Sequence, residues 1–197
     1  PNNPISIFYD NNQGLRFERV ISLDEKYLFK INQKIINKTD KKYKFYPYAY
    51  LHRNNIPEDL TDFYILHEGF VTVSDEELKE IDYDEIDEKS YSKNSNKGFI
   101  AIGDKYWVTS IIPPSDRAFR MDIDYKNKYR ASYIDSEGLF LEPNSSIENN
   151  IKSIIGAKTV RDIDGYAQSE KIEKFDLVIN WGILYWLVKP MFFILEY

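Results

Sequence analysis

The segment MDIDYKNKYRASY, residues 121–133, decides the fold class. Apolar residues occupy every second position in each half, at Met121, Ile123, Tyr125 and then at Tyr129, Ala131, Tyr133. Alternation of this kind is typical of a strand with one buried and one wet face. The polar tripeptide at 126–128 lies between the halves, so the segment predicts an antiparallel hairpin.

The same pattern extends outward from this hairpin. Residues 15–23 and 27–35 alternate in the same way, and the predicted β region runs from about 5 to 140. The run 106–112 is almost wholly apolar before Pro113, which is typical of a strand buried on both faces. The acidic stretch 74–97 predicts a surface loop, with a short strand near 78–81.

The composition excludes several functions. The net charge of -6 and a sequence pI near 5.1 oppose nucleic-acid binding, which needs clustered Lys and Arg. Because the chain has no Cys, it cannot form a disulfide, a thiolate zinc site or a Cys nucleophile. No cofactor-binding or metal-binding motif is present, so we expect no cofactor, no metal and no enzyme activity. The first residue is not Met and the last residues are apolar, which suggests a piece of a longer protein.

The last third changes to helical spacing. Residues 159–170 predict a helix with Thr159 as N-cap, and residues 172–188 predict a second helix with an apolar stripe. The stripe consists of Leu177, Trp181, Leu184 and Val188. Three interpretations compete for residues 172–197: a simple transmembrane helix, a buried core helix, or a helix in the membrane interface. The third has a turn at Lys189-Pro190 and the start of a span at Met191, with Lys189 reaching toward the headgroups.

Two further patterns each allow two interpretations. Alternation places Tyr46, Tyr48 and Tyr50 on one face of a strand, either as a partner-contact surface or as a sheet-on-sheet core. The dipeptide His67-Glu68 could be an acid–base pair acting on a sugar, or His67 could simply hydrogen-bond at a strand end.

An ordered set of motifs across nearly the whole chain resembles the periplasmic domain of YidC-type membrane-protein insertases. The motifs are NQGLRFER at 12–19, FYILHEG at 63–69, DKYW at 104–107, GAK at 156–158, FDLVINWG at 175–182 and KPMFF at 189–193. The resemblance implies a mainly β fold, a twisted antiparallel β-supersandwich like that of mutarotases, followed by two C-terminal helices. It also favours a strand over residues 145–155, where spacing alone is ambiguous.

The resemblance further implies three parts: a periplasmic β-sandwich at 1–158, helices including an interfacial one at 159–189, and the start of a transmembrane helix at 190–197. The implied membrane-interface residues are Phe175, Leu177, Trp181, Leu184, Tyr185, Trp186, Val188, Lys189 and Pro190. The implied partners are the Sec translocon with SecD/SecF, nascent membrane proteins and the membrane surface, at the bacterial inner membrane. A carbohydrate-binding or mutarotase-like sandwich is the alternative. The membrane interpretation fails if Trp181, Trp186 and Phe192 are all sealed inside the body.

Overall fold

The computed structural model describes residues 3–58, 60, 67–182 and 184–195 and is mainly β. The motif residues 63–66 therefore lie outside the described part. The strands are β1 Ile5–Asp10, β2 Leu15–Leu23, β3 Leu28–Asn37, β4 Tyr43–Phe45, β5 Tyr48–Arg53, β6 Gly69–Ser74, β7 Glu77–Ile81, β8 Tyr91–Ser95, β9 Gly98–Gly103, β10 Trp107–Ile111, β11 Phe119–Tyr125, β12 Tyr129–Asp135, β13 Leu139–Leu141 and β14 Ser146–Ala157. The helices are α1 Tyr83–Glu88, α2 Val160–Ser169 and α3 Tyr185–Leu195, with a 3-10 helix at Phe175–Val178.

The strands form antiparallel sheets. The large sheet has eight strands in the order β1-β2-β3-β14-β10-β9-β6-β7, and the small sheet has four in the order β5-β12-β11-β8. β4 and β13 form a separate pair. The predicted hairpin is confirmed as β11 and β12, with Tyr125 opposite Tyr129 and Asn127 in the left-handed region at the turn. The strands expected around 15–23, 27–35 and 145–155 are confirmed as β2, β3 and β14.

The central part of the large sheet is covered on both faces, which gives the body two cores, whereas every residue of β1 at its edge is exposed. On one face the small sheet packs over residues such as Phe70 and Ile100. On the other face α2 and the 3-10 helix pack over Val71 and Phe99. Successive residues of β6 and β9 thus point into different cores, as the period of two in a strand requires. The predicted β-sandwich followed by C-terminal helices is confirmed.

Three details of the prediction are wrong. The short strand expected near 78–81 is confirmed as β7, but the rest of 74–97 is not a surface loop, because it contains β8 and α1, whose Tyr83 and Ile86 are buried in the core under the small sheet. The expected single tyrosine strand is two strands, β4 and β5, separated at Tyr46-Pro47. The strand 106–112 is not buried throughout, because Tyr106 and Trp107 are exposed at its beginning.

Candidate membrane-contact and partner-contact surfaces

Residues 175–178 belong to the core rather than to a membrane-facing helix. They form a short 3-10 helix, in which Phe175 is 0% exposed and its ring lies 5.0 Å from that of Phe99. The expectation that Phe175 contacts the membrane is therefore wrong. Burial of a Phe side chain stabilises the folded state by about 1.5–3 kcal/mol. Moving the Phe175 ring from the large sheet into solvent would therefore be unfavourable.

The predicted continuous helix over 172–188 is also wrong. The 3-10 helix ends at Val178, and the backbone is extended at Ile179. Gly182 then has φ +71°, a left-handed conformation that ends helices and that glycine adopts without steric cost. The apolar stripe expected from helical spacing does not exist, because Leu177 and Trp181 precede this break whereas Leu184 and Val188 follow it.

α3 begins at Tyr185 and continues through Pro190 to Leu195. The predicted turn at Lys189-Pro190 is wrong, and the predicted boundary between residues 189 and 190 falls inside the helix. Pro190 leaves the Trp186 carbonyl without a helical donor, at a typical cost of about 3 kcal/mol in a helix interior. The Val188 N–H still bonds the Leu184 carbonyl at 2.9 Å, so the first turn is regular.

None of the described residues of α3 is buried. Trp186 is 70% exposed, and Ile194 and Leu195 are more exposed still. Of the expected interface residues, Leu184, Tyr185, Trp186, Val188 and Pro190 are exposed, Leu177, Trp181 and Lys189 are half-buried, and Phe175 is buried. α3 is therefore an apolar helix that lies on the outside of the body. An exposed apolar patch of this kind is typical of a contact site.

Polar contacts attach α3 to the body. The Lys189 ammonium donates to Asp176 at 2.7 Å and forms an ion pair with Asp164 of α2 at 2.9 Å. The Tyr185 hydroxyl donates to the same Asp176 carboxylate at 2.7 Å. We call this group of Asp164, Asp176, Tyr185 and Lys189 the α3 latch. The expectation that Lys189 reaches toward lipid headgroups is wrong, because two body carboxylates hold it.

Charge pairing within the latch shifts the pKa values of its members. Burial alone would lower the pKa of Lys189, but its interactions with Asp176 and Asp164 raise it above the ordinary lysine value. Burial alone would raise the pKa of Asp176, but the hydrogen bonds from Lys189 and Tyr185 bring it below the ordinary value. Both groups are therefore charged at neutral pH, and each stabilises the other.

Two aromatic residues complete the attachment. The Trp181 indole N–H donates to the Asp176 carbonyl at 3.3 Å, and the Trp181 ring meets Phe192 edge-on at 5.8 Å. Both residues are half-buried, whereas Trp186 is exposed. The three aromatic residues are therefore not sealed inside the body, and the arrangement that would have excluded a membrane junction is not observed.

The tyrosine face lies on the outside of the small sheet. Tyr48 and Tyr50 are exposed and stacked, with ring centroids 6.4 Å apart and an interplanar angle of 7°. Tyr46, which precedes β5, is also exposed, and the Lys44 ammonium lies 5.1 Å from its ring centroid. Of the two interpretations of this face, the sheet-on-sheet core is wrong, because Ala49 and Leu51 supply the core contacts of β5 instead.

A mainly apolar cleft of about 790 Å³ opens beside this face, between strands β1, β2 and β3 of the large sheet and strand β5 at the edge of the small sheet. Its lining includes Phe17, Ile31, Ile147, Pro47 and Ala49. Neither histidine is part of this lining. The cleft is therefore a mainly apolar surface whose lining also includes the carboxylates Glu18 and Glu148 but neither histidine.

His67 is occupied by structural contacts. Its Nδ1 lies 3.0 Å from the Asp82 carboxylate, and its Nε2 lies 3.0 Å from the Phe70 carbonyl. With both ring nitrogens engaged, His67 has no free atom for proton transfer to a ligand. The simpler interpretation, hydrogen bonding at a strand end, is confirmed.

Within 3–58, 60, 67–182 and 184–195, no group of His, Asp and Glu has a metal-binding arrangement. In the same ranges no helix has the length and apolar character needed to cross a bilayer.

Two solved structures share this fold. A galactose mutarotase related enzyme from Lactobacillus acidophilus superimposes with a TM-score of 0.52 at 12% identity, over 77% of this chain and 67% of that one. A galactose mutarotase-like protein from Lactobacillus casei gives a TM-score of 0.52 at 8% identity, over 77% and 69%. Identities this low show a shared fold alone, and they confirm the mutarotase-like supersandwich.

The family is shown by sequence. The model of the YidC periplasmic domain matches residues 1–194. Membrane protein insertase YidC of Pelagibacter ubique is 51% identical over 196 residues, covering 100% of this chain and 35% of that protein. The Rhizobium johnstonii protein of the same name is 36% identical over 200 residues, covering 98% and 33%. The chain spans about a third of the length of the curated relatives it matches, and it belongs to the family of YidC periplasmic domains.

Proposed function

We propose that this chain is the periplasmic scaffold and interaction domain of an inner-membrane protein insertase. In this role it assists insertion and folding of nascent membrane proteins, alone or with the Sec translocon. The names of its relatives support the insertase activity, and family resemblance supports SecD/SecF as partners. The observation that carries the proposal is α3, an exposed apolar helix attached to a folded body through a polar latch.

α3 is suited to a lipid surface. Its first turns carry Tyr185 and Trp186, residue types enriched at headgroup depth, and its last turn is wholly apolar at Phe193, Ile194 and Leu195. The helix has 11 residues and is about 16 Å long, so it would lie in or enter the interface rather than cross it. We propose that residues 190–197 begin the entry into the bilayer, and that the body is on the periplasmic side.

The second contact region is the tyrosine face with the adjoining cleft. Rigid aromatic rings provide large contact area at a low entropy cost, and Tyr is enriched at protein interfaces. Tyr46, Tyr48 and Tyr50 are exposed, and the cleft beside them is mainly apolar and open. We propose that a protein partner, either a Sec subunit or a nascent chain, contacts this region while α3 contacts lipid.

Binding to vesicles tests the first contact. The variant Trp186→Ser/Ile194→Ser removes two exposed side chains that lie outside the latch. Each buried apolar side chain contributes about 1.5–3 kcal/mol, so the double variant should bind anionic vesicles at least about tenfold more weakly. The matched control, Tyr48→Ser/Tyr50→Ser, removes exposed aromatic rings from the other region and should bind vesicles as the parent does. Unchanged binding of the first variant would refute the membrane role of α3.

A further inference from the structure

A group of exposed aromatic side chains lies at one end of the large sheet. Tyr27 is in the β2–β3 turn, and Tyr106 and Trp107 are in the β9–β10 turn and at the start of β10. Their exposed fractions are 58%, 65% and 60%. We call these three residues the aromatic rim. An exposed patch formed by several large apolar side chains is typical of a contact site.

The two turns are neighbours in space. Trp107 is paired with Ala157, and a Cβ at the adjacent Gly156 would lie 3.2 Å from Cβ of Tyr27. The Tyr27 carbonyl also accepts the Ile155 N–H at 3.3 Å. The rim is therefore one continuous patch formed by two turns.

The rim projects beyond both faces of the sheet. The residue after Trp107, Val108, is in the core under α2, so Trp107 points to the opposite face, where the small sheet lies. Tyr27 covers Gly156, which shares a face with Ile154 in the core under α2. Aromatic residues on both faces at the end of a strand are suited to contact a flat surface that lies across that end of the sheet.

α3 leaves the body at this same end. The Asn180 amide donates to Glu80 at 3.2 Å, and the next residue of β7, Ile81, pairs with Phe70. Gly69, the residue before Phe70 in β6, pairs with Gly103, which lies immediately before the β9–β10 turn. α2, which holds Asp164 of the latch, also starts here, because the Lys158 N–H donates to the Tyr106 carbonyl at 2.8 Å.

The chemistry of the rim suits the headgroup region of a bilayer. Tyr and Trp prefer that depth, and the Lys105 ammonium lies 5.4 Å from the centroid of the Tyr106 ring. Three nearby carboxylates are held by internal partners, Asp24 by the Tyr166 hydroxyl, Asp104 by Arg53 and Asp162 by Lys26. The ion pairs offset the charges of Asp104 and Asp162, so these two carboxylates oppose the approach of anionic lipid less than unpaired ones would.

We propose that the aromatic rim is a second membrane contact, so that the large sheet stands end-on on the lipid surface beside α3. This inference rests on the proposed function, because it takes α3 as the first contact. It also fixes the orientation of the body. Arg53, at the end of β5, pairs with Asp104 next to the rim, so Tyr48 at the start of β5 lies farther from the lipid. The tyrosine face would thus remain available to a protein partner.

Tryptophan fluorescence tests this orientation, because the chain has three Trp residues. Trp181→Phe/Trp186→Phe retains Trp107 alone, and Trp107→Phe/Trp181→Phe retains Trp186 alone. A reference variant replaces all three by Phe and carries Phe140→Trp, because Phe140 is 56% exposed in β13, away from the rim. Each variant is mixed with phosphatidylglycerol–phosphatidylethanolamine vesicles whose acyl chains are brominated near the headgroups.

We expect quenching of Trp107 and of Trp186 by about half or more, and little quenching of the Trp at position 140. Quenching of Trp186 without Trp107 would overturn the second contact and leave the proposed function intact. Absence of quenching at both positions would overturn both. Equal quenching at all three positions would overturn the end-on orientation.

Discussion

The 3-10 helix and α3 are neighbouring apolar segments that are attached to the body in opposite ways. Phe175 and Val178 are buried in the core under α2. α3 has no buried residue among those described and is attached mainly through charged and hydroxyl groups. Apolar content alone therefore does not determine whether a segment enters a core. The break at Gly182 and the polar latch determine which segment is buried. They separate the 3-10 helix, which stays in the core, from α3, which can move away from the body.

The two segments also differ in the contacts that would be lost if each one moved away from the body. Removing the 3-10 helix from the large sheet would expose core residues such as Phe99, whereas moving α3 would break the polar contacts of the latch and the Trp181–Phe192 contact. Polar contacts at a surface have small net free energies, because water replaces them. α3 can therefore change its surroundings while the sandwich stays folded.

Truncation of one Phe in each segment should give the largest contrast. Phe175→Ala should lower the free energy of unfolding by about 3–5 kcal/mol, because it leaves a cavity in the core. Phe193→Ala is the matched control in α3 and should change it by less than about 0.5 kcal/mol. Urea denaturation measures both. Similar losses for the two variants would show that α3 is part of the core after all.

Breaking the latch should have a smaller and more local effect. Lys189→Met leaves Asp164 and Asp176 without their cation, at a cost of about 1–3 kcal/mol. Because α3 is held mainly there, its amides should exchange hydrogen about tenfold or more faster, whereas those of β9 should be unchanged. Lys34→Met is the control, since its partner Glu148 is exposed. Loss of protection in β9 as well would contradict a local latch.

Gly182→Ala tests the break between the segments. An alanine in the left-handed region costs about 1–2 kcal/mol, although nothing lies within 4 Å of the added Cβ. Gly182→Asn should cost less, because Asn tolerates that conformation. Thermal unfolding compares the two variants. Equal stability of the Ala variant and the parent would indicate that residues 179–184 adopt another conformation.

The pH dependence of the latch should be the smallest effect. The lowered pKa of Asp176 contributes stability above its unfolded value of about 3.9, and this is lost as the pH falls through the folded value. The raised pKa of Lys189 contributes stability below about 10.4, and this is lost as the pH rises through its folded value. Near-ultraviolet circular dichroism of the Trp181 environment should be constant between about pH 5 and 9. A transition near pH 7 would contradict the charged latch.

The sequence predicts the strands better than it predicts how the C-terminal segments attach to the body. Alternation at 121–133 needs no partner to be recognised, because the period of two is local. α1 was missed because its acidic residues suggest a loop, although Asp82 and Glu85 form a capping box around the buried Tyr83. That capping signal is local and could have been found.

The C-terminal segment was less predictable, because its structure depends on distant contacts. The apolar spacing over 172–188 fits a single helix. The sequence does not show that the Phe175 ring packs against the Phe99 ring. A Lys within an apolar run does suggest a carboxylate partner, but Asp164 and Asp176 could not be chosen from the other acidic residues without the fold. The aromatic rim unites residues about 80 positions apart, which no local pattern connects.

Hydrogen exchange of the parent chain, measured with and without anionic vesicles, follows both segments in one experiment and shows whether α3 contacts lipid while the 3-10 helix stays buried. Vesicles should slow exchange in α3, at 185–195, and leave exchange at 175–178 unchanged, because the 3-10 helix remains in the core. Unchanged exchange in α3, or faster exchange at 175–178, would contradict this prediction.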